Sequence, residues 1–120
     1  MQLRSAGLLW DVATAAKRIQ GFVTGKSWQD YSNDVLLRSG VERQFEVAGE
    51  ALNMLRRVDS VTADRVPNVH KVVGMRNVLI HGYAEVNNLT VWRAATENLD
   101  ELVTAVEAIL AEVGLPDREL

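Results

Sequence analysis

Cysteine is absent from these 120 residues, which removes disulfides, thiolate nucleophiles and cysteine-ligated zinc from the chemistry open to the chain. Histidine is scarce as well. His70 and His81 are the only two, too few for a self-contained histidine metal cluster, although carboxylates remain able to hold a hard cation. No apolar run approaches the roughly 20 residues of a membrane span. The first residues lead into Trp10, Asp11, Lys17 and Arg18 without the apolar stretch and cleavage site of a secretory leader. A cytoplasmic protein with no membrane partner is therefore expected. There is no Gly-rich phosphate loop, internal repeat or low-complexity tract, and no segment alternates with period two in the manner of a strand.

What is there suits one domain over residues 1–120. The chain is 48% apolar and 24% charged, and it is long enough to bury a core without staples. Its net charge of −3 argues against a generally basic nucleic-acid coat. The charge is unevenly spread, however. Residues 1–80 carry eleven basic side chains against eight acidic ones, and residues 81–120 carry two against eight. A locally positive surface for a polyanion is compatible with that distribution.

Apolar spacing predicts helices throughout. Leu8, Val12, Ala15, Ala16, Ile19, Phe22 and Val23 mark one helix face, and Gly25 is placed to stop it. Ser27 then caps a short turn of helix in which Trp28 and Tyr31 serve as lids on the core. A long helix follows over roughly Asp34 to Val58, with Leu37, Val41, Phe45, Ala48, Leu52 and Leu55 on one face. Gly40 suggests a bend in it. Gly49, between Ala48 and Ala51, suggests a close helix crossing, because a mid-helix glycine otherwise costs up to about 1 kcal/mol. Glu50 beside that crossing either faces solvent or pairs with an arginine. Residues Asp59 to Pro67 read as a loop feeding a third long helix through Pro67 at or near its first position, and Gly82 is the expected C-cap of that helix. Asn88 is expected to cap a last helix from Val91 and Trp92 to Leu110, ended by Gly114 and Pro116. The sum is an all-α, up-and-down bundle of four to five helices.

Reactive side chains are concentrated in the third long helix, in Met75-Arg76-Asn77-Val78-Leu79-Ile80-His81-Gly82-Tyr83. At about 100° per residue, Arg76 falls in the middle of the stripe formed by Val69, Val72, Val73, Leu79 and Ile80. A guanidinium there must snorkel off the edge, meet an acidic partner or line a cleft that an anion enters. Asn77 and His81 are four apart and share a face, so Asn77 is able to orient the imidazole or a ligand. Arg76 and His81 lie roughly 140° apart around an ideal helix. They converge only if the helix distorts or ends near Gly82, or if the site is shared between chains. Imidazole and guanidinium without thiol or metal suit RNA phosphodiester cleavage: His81 takes the 2′-hydroxyl proton and Arg76 steadies the charge on phosphorus. One histidine cannot be base and acid in the same state, whereas a two-fold dimer supplies two. Each residue also has a plainer role. His81 suits a helix C-terminus through the dipole, Asn77 an exposed helix position, Tyr83 a core edge, and His70 a first turn.

These residues resemble the HepT-like toxins of the HEPN (higher eukaryotes and prokaryotes nucleotide-binding) superfamily. The likeness is carried by the Arg-X4-His-X-Tyr pattern of Arg76, Asn77, His81 and Tyr83, by Val47-Ala48-Gly49-Glu50-Ala51, and by Val91-Trp92. It implies a homodimeric helical-bundle ribonuclease of HEPN type that needs no cofactor or metal, with Arg76 and His81 catalytic, Asn77 the polar residue beside the arginine, and Glu50 and Gly82 in support. It further implies that Tyr83 accepts AMP from a cognate MntA-type minimal nucleotidyltransferase antitoxin. In one respect the chain differs: family members often open the motif helix with Pro-Trp, where this chain has Pro67-Asn68-Val69. A reading of another kind is a non-catalytic adaptor or nucleotide-binding subunit that partners a nucleotidyltransferase.

Overall fold

The computed structural model describes residues 1–82 and 86–113. Their helices are α1 (Leu3–Val23), α2 (Trp28–Asn33), α3 (Val35–Val58), α4 (Ser60–Ala63), α5 (Val69–His81), α6 (Asn88–Glu97) and α7 (Leu99–Val113), with no strand among the described residues. The all-α bundle expected from the apolar spacing is what forms. Helix α3 is its centre, with α1 on one side and α5 on another, and α7 packs on α1.

The core follows the helical period. Leu9, Val12, Ala16 and Ile19 of α1 are buried against Val41, Phe45, Leu52 and Leu55 of α3, and Leu102, Val106 and Ile109 of α7 close the far side. The small side chains Ala13, Ala15 and Ala16 let α1 approach its neighbours closely, and each buried Leu or Ile contributes about 1.5–3 kcal/mol. Outside this core, α1 and α7 are tied by Lys17 to Glu107 at 2.7 Å and by Gln20 to Asp100 at 2.6 Å.

The turns also follow local chemistry. Gly25, at φ +75°, follows α1 in the left-handed region where a side chain is strained. Ser27 and Asp30 form a reciprocal capping box: the Asp30 amide donates to Ser27 Oγ at 3.1 Å and the Ser27 amide donates to Asp30 Oδ2 at 2.8 Å. Asp34 caps α3 by accepting from the Leu37 amide. That helix then continues unbroken through both glycines, with Gly40 facing the ring of Phe22.

Four local expectations need correction. Tyr31 is fully buried rather than a lid, stacked on Trp28 at 6.2 Å and tilted against Trp92 at 5.2 Å. The presumed loop from Asp59 to Pro67 contains the one-turn helix α4, because Asp59 accepts from the amide and hydroxyl of Thr62. Pro67 precedes α5 instead of opening it; Asn68, at φ 62°, turns the chain into the helix in a conformation that Asn tolerates better than most residues. The last helix is two helices broken at Asn98, and its cap is Asn87, whose Oδ1 accepts from Leu89 and Thr90. Gly114 and Pro116 lie outside the described residues.

Asp59 joins distant parts of the fold, since its Oδ2 also accepts from the buried Ser5 hydroxyl of α1 at 2.7 Å. The Thr62 hydroxyl, then Ser5 and the Thr62 amide, hold its carboxyl below the usual carboxylate range. A depressed folded pKa gives stabilisation that is present above the unfolded value and lost as pH falls through the folded one. Asp59→Asn is therefore expected to lower the thermal midpoint near neutral pH, with the gap to the parent closing below about pH 4. Circular dichroism melts across that range check it.

Candidate active site

Helix α5 is held chiefly by α3, and their crossing is closest at Gly49. A Cβ built on Gly49 would lie 2.3 Å from Arg76 Cβ and 3.0 Å from both Arg76 Cγ and the Val72 carbonyl oxygen. Only glycine fits there. The absent side chain lets the Arg76 stem lie directly over the α3 backbone, and the stem carries the guanidinium out to the edge of the crossing.

At that edge the guanidinium has two partners. Arg76 Nη1 donates to Asn77 Oδ1 at 2.9 Å, and Nη2 pairs with Glu50 Oε2 at 2.6 Å. Of the three fates open to an arginine in an apolar stripe, this is the acidic partner together with the cleft. Asp11 of α1, Arg43, Glu46 and Glu50 of α3, and Ile80 of α5 surround a groove of about 420 Å³ that contains Arg76. The Arg76 side chain is 23% exposed and that of Glu50 50% exposed. An ion pair so open to water contributes on the order of 0–1 kcal/mol. Its consequence is direction rather than stability: two of five N–H donors are fixed and three remain for an anion.

His81 is the last residue of α5 and is exposed. Gly82 follows as the C-cap, its amide donating to the Val78 carbonyl at 2.7 Å. Glycine is needed for space rather than for a left-handed backbone: φ is −83°, and a Cβ would stand 2.5 Å from Val78 O. Because α5 is unbroken to His81, Arg76 and His81 keep to different faces, and no bond joins them among the described residues. Asn77 is engaged through Oδ1 with Arg76 and not with the imidazole, since the long arginine side chain curls back to its sequence neighbour. His70 is exposed in the first turn, as expected of an ordinary surface residue. Tyr83 lies outside the described residues.

The outward face of α5 carries Asn77, Val78, Ile80 and His81, with Val78 50% exposed. Sequence reasoning missed the contribution of α1 to the Arg76 groove, since nothing in the spacing of Leu8 and Asp11 places them beside residue 76. It also missed the direct bond between Arg76 and Asn77. Among the described residues no group of three or more His, Cys, Asp or Glu is placed to hold a metal ion, and no helix is long and apolar enough to cross a membrane.

An arginine in an acidic cleft and an exposed histidine at the end of the same helix, in an all-α bundle, define a candidate phosphodiester-binding site. Comparison with known proteins gives the family. Residues 12–109 match the model of the family described as Ribonuclease HepT-like, so the chain belongs to the HepT-like ribonucleases. A protein of Methanocaldococcus jannaschii is 27% identical over 103 residues, covering 84% of this chain and 92% of its own. One from Caldanaerobacter subterraneus subsp. tengcongensis is 33% identical over 88 residues, covering 73% and 78% respectively. Both carry the name "Putative RNase". No solved structure matches the chain.

The crossing makes an asymmetric prediction about glycines. Gly49→Ala is expected to destabilise by about 1–3 kcal/mol through overpacking and to displace Arg76. Gly21→Ala, where nothing stands within 4 Å of the new Cβ, is expected to be neutral or to stabilise by up to about 1 kcal/mol. Chemical denaturation of the two variants beside the parent measures both.

Proposed function

We propose that this HepT-like ribonuclease is the toxin of a toxin–antitoxin pair, a metal-independent endoribonuclease that works in the cytoplasm as a two-fold homodimer. The observation that carries the reading is the fixing of Arg76 by Glu50 and Asn77 over Gly49, one helix face away from the exposed His81. Two α5 helices facing each other across a two-fold axis bring the arginine of one chain toward the histidine of the other.

In that arrangement one imidazole takes the proton from the ribose 2′-hydroxyl. The alkoxide attacks the adjacent phosphorus in line, and the second imidazole gives a proton to the departing 5′-oxygen, leaving a 2′,3′-cyclic phosphate. The free N–H donors of Arg76 meet the phosphate oxygens as negative charge grows on them. Glu50 is a positioning residue: it touches no substrate and holds the guanidinium in register. Tyr83, two residues beyond His81, is the site at which an MntA-type nucleotidyltransferase adds AMP, placing negative charge and bulk where RNA phosphate must enter.

Cleavage of total RNA by the purified protein in EDTA tests the reading. Activity should persist in the chelator. It should fall about 10²–10⁴-fold in His81→Ala and about 10²–10³-fold in Arg76→Ala. Glu50→Gln should lower kcat about tenfold with the melting temperature unchanged, and Glu50→Asp should recover part of the loss. Tyr83→Phe should cut RNA like the parent and gain no AMP mass from the partner and ATP. Wild type and variants equally inert on RNA would instead favour the adaptor reading.

A further inference from the structure

On the flank of α5 away from Arg76 lies a second and larger groove, of about 620 Å³, between α5 and α6–α7. Its α5 wall is Lys71, Met75 and Val78, spaced by four and three so that they share one face. Its α6 wall is Thr90, Arg93 and Ala94, and its floor includes the buried Val91, Leu99 and Leu102. Asn68, Asn87 and Asn98 supply amides at the edges. No Asp or Glu is among the described residues that line it. Lys71 and Arg93 are exposed and have no ion-pair partner among the described residues. In a protein of net charge −3, an apolar trough whose described lining holds two cations without an ion-pair partner and no carboxylate is set apart from its surroundings.

We propose that this groove is the subsite for single-stranded RNA next to the bond that is cut, with an unstacked base on the apolar floor and backbone phosphates at Lys71 and Arg93. The proposal rests on the ribonuclease reading above. Position along α5 supports it, since at about 100° per residue Val78 is roughly 60° from His81, so the groove opens beside the histidine. RNA lying in it reaches His81 at the C-terminal end of α5 and there meets the arginine of the facing chain. The chemistry also fits: a base offers a flat face and edge donors and acceptors, which apolar side chains and amides hold, and sequence-tolerant binding of single strands needs a positive track for the phosphates. A second copy of the chain is a poorer occupant. The α5 sequence contains no Asp or Glu, so the outer face that would dock there has no carboxylate for Lys71 or Arg93.

The test uses a short fluorescein-labelled single-stranded RNA with 2′-O-methyl sugars, which cannot be cut because the attacking hydroxyl is blocked. Binding to the full chain is followed by anisotropy. The Lys71→Glu, Arg93→Glu double variant should bind at least about tenfold more weakly, with the slope of log affinity against log salt reduced by about 1.4, the value for two single-strand phosphates. Thr90→Trp fills the groove without changing its charge, and should weaken binding about tenfold while leaving the salt slope alone. All three positions are exposed, and melts confirm that each variant is folded. Variants that bind the probe as wild type does, while wild type cuts RNA, overturn the subsite and leave the ribonuclease reading standing. Wild type that neither binds the probe nor cuts RNA overturns both. Variants that lose probe binding only because the dimer falls to monomer mass overturn the subsite in favour of a subunit contact.

Discussion

The contact between Gly49 of α3 and Arg76 of α5 is the constraint on which the candidate site depends. Without a Cβ at residue 49, the α5 backbone comes close enough for the arginine stem to lie across the crossing, and Glu50, the next residue on α3, meets the guanidinium at 2.6 Å. One glycine thus sets both the distance between two helices and the aim of a cation. The ion pair contributes little to stability because both partners are open to water, so its importance lies in orientation. Asn77 adds the second anchor, and the remaining donors of the fork are left for an anion.

Much of this was legible in the sequence. The stripe of Val41, Phe45, Leu52 and Leu55 predicted α3 with its buried face, and Gly49 between two alanines predicted a close crossing. Glu50, which the sequence left either facing solvent or paired with an arginine, does both: it pairs with Arg76 and is half exposed. The misses share a physical cause, in that short polar side chains decide local geometry without leaving a periodic signal. Asp59 converts an apparent loop into α4 through bonds to Thr62, Asn68 turns the chain through the left-handed region, and Asn98 interrupts what reads as one apolar helix. The partnership of Asp11 with the Arg76 cleft was illegible for another reason, because it depends on how α1 is laid across α3.

The two flanks of α5 differ in electrostatic character. On one side Arg76 stands among Asp11, Arg43, Glu46 and Glu50; on the other, Lys71 and Arg93 border an apolar groove with no carboxylate among the described residues. Between them runs the outer face with His81 and the exposed Val78 and Ile80. Glu50 holds Arg76 in place, while Glu46 pairs with Arg43. Cations on the opposite flank are where the proposed RNA subsite would take up phosphate.

The central claim is that Arg76 and His81 act together only across two chains. Mixing the wild-type protein with an Arg76→Ala, His81→Ala double variant, under conditions that exchange subunits, tests it most directly. Heterodimers then keep one intact arginine and one intact histidine, both on the same chain, with no intact pair across the two chains. The account predicts that heterodimers cut no RNA, so that activity falls as the square of the wild-type fraction. Heterodimers that keep half the activity of the wild-type dimer, so that activity falls only in proportion to the wild-type fraction, would place both residues in a site within one chain and contradict it.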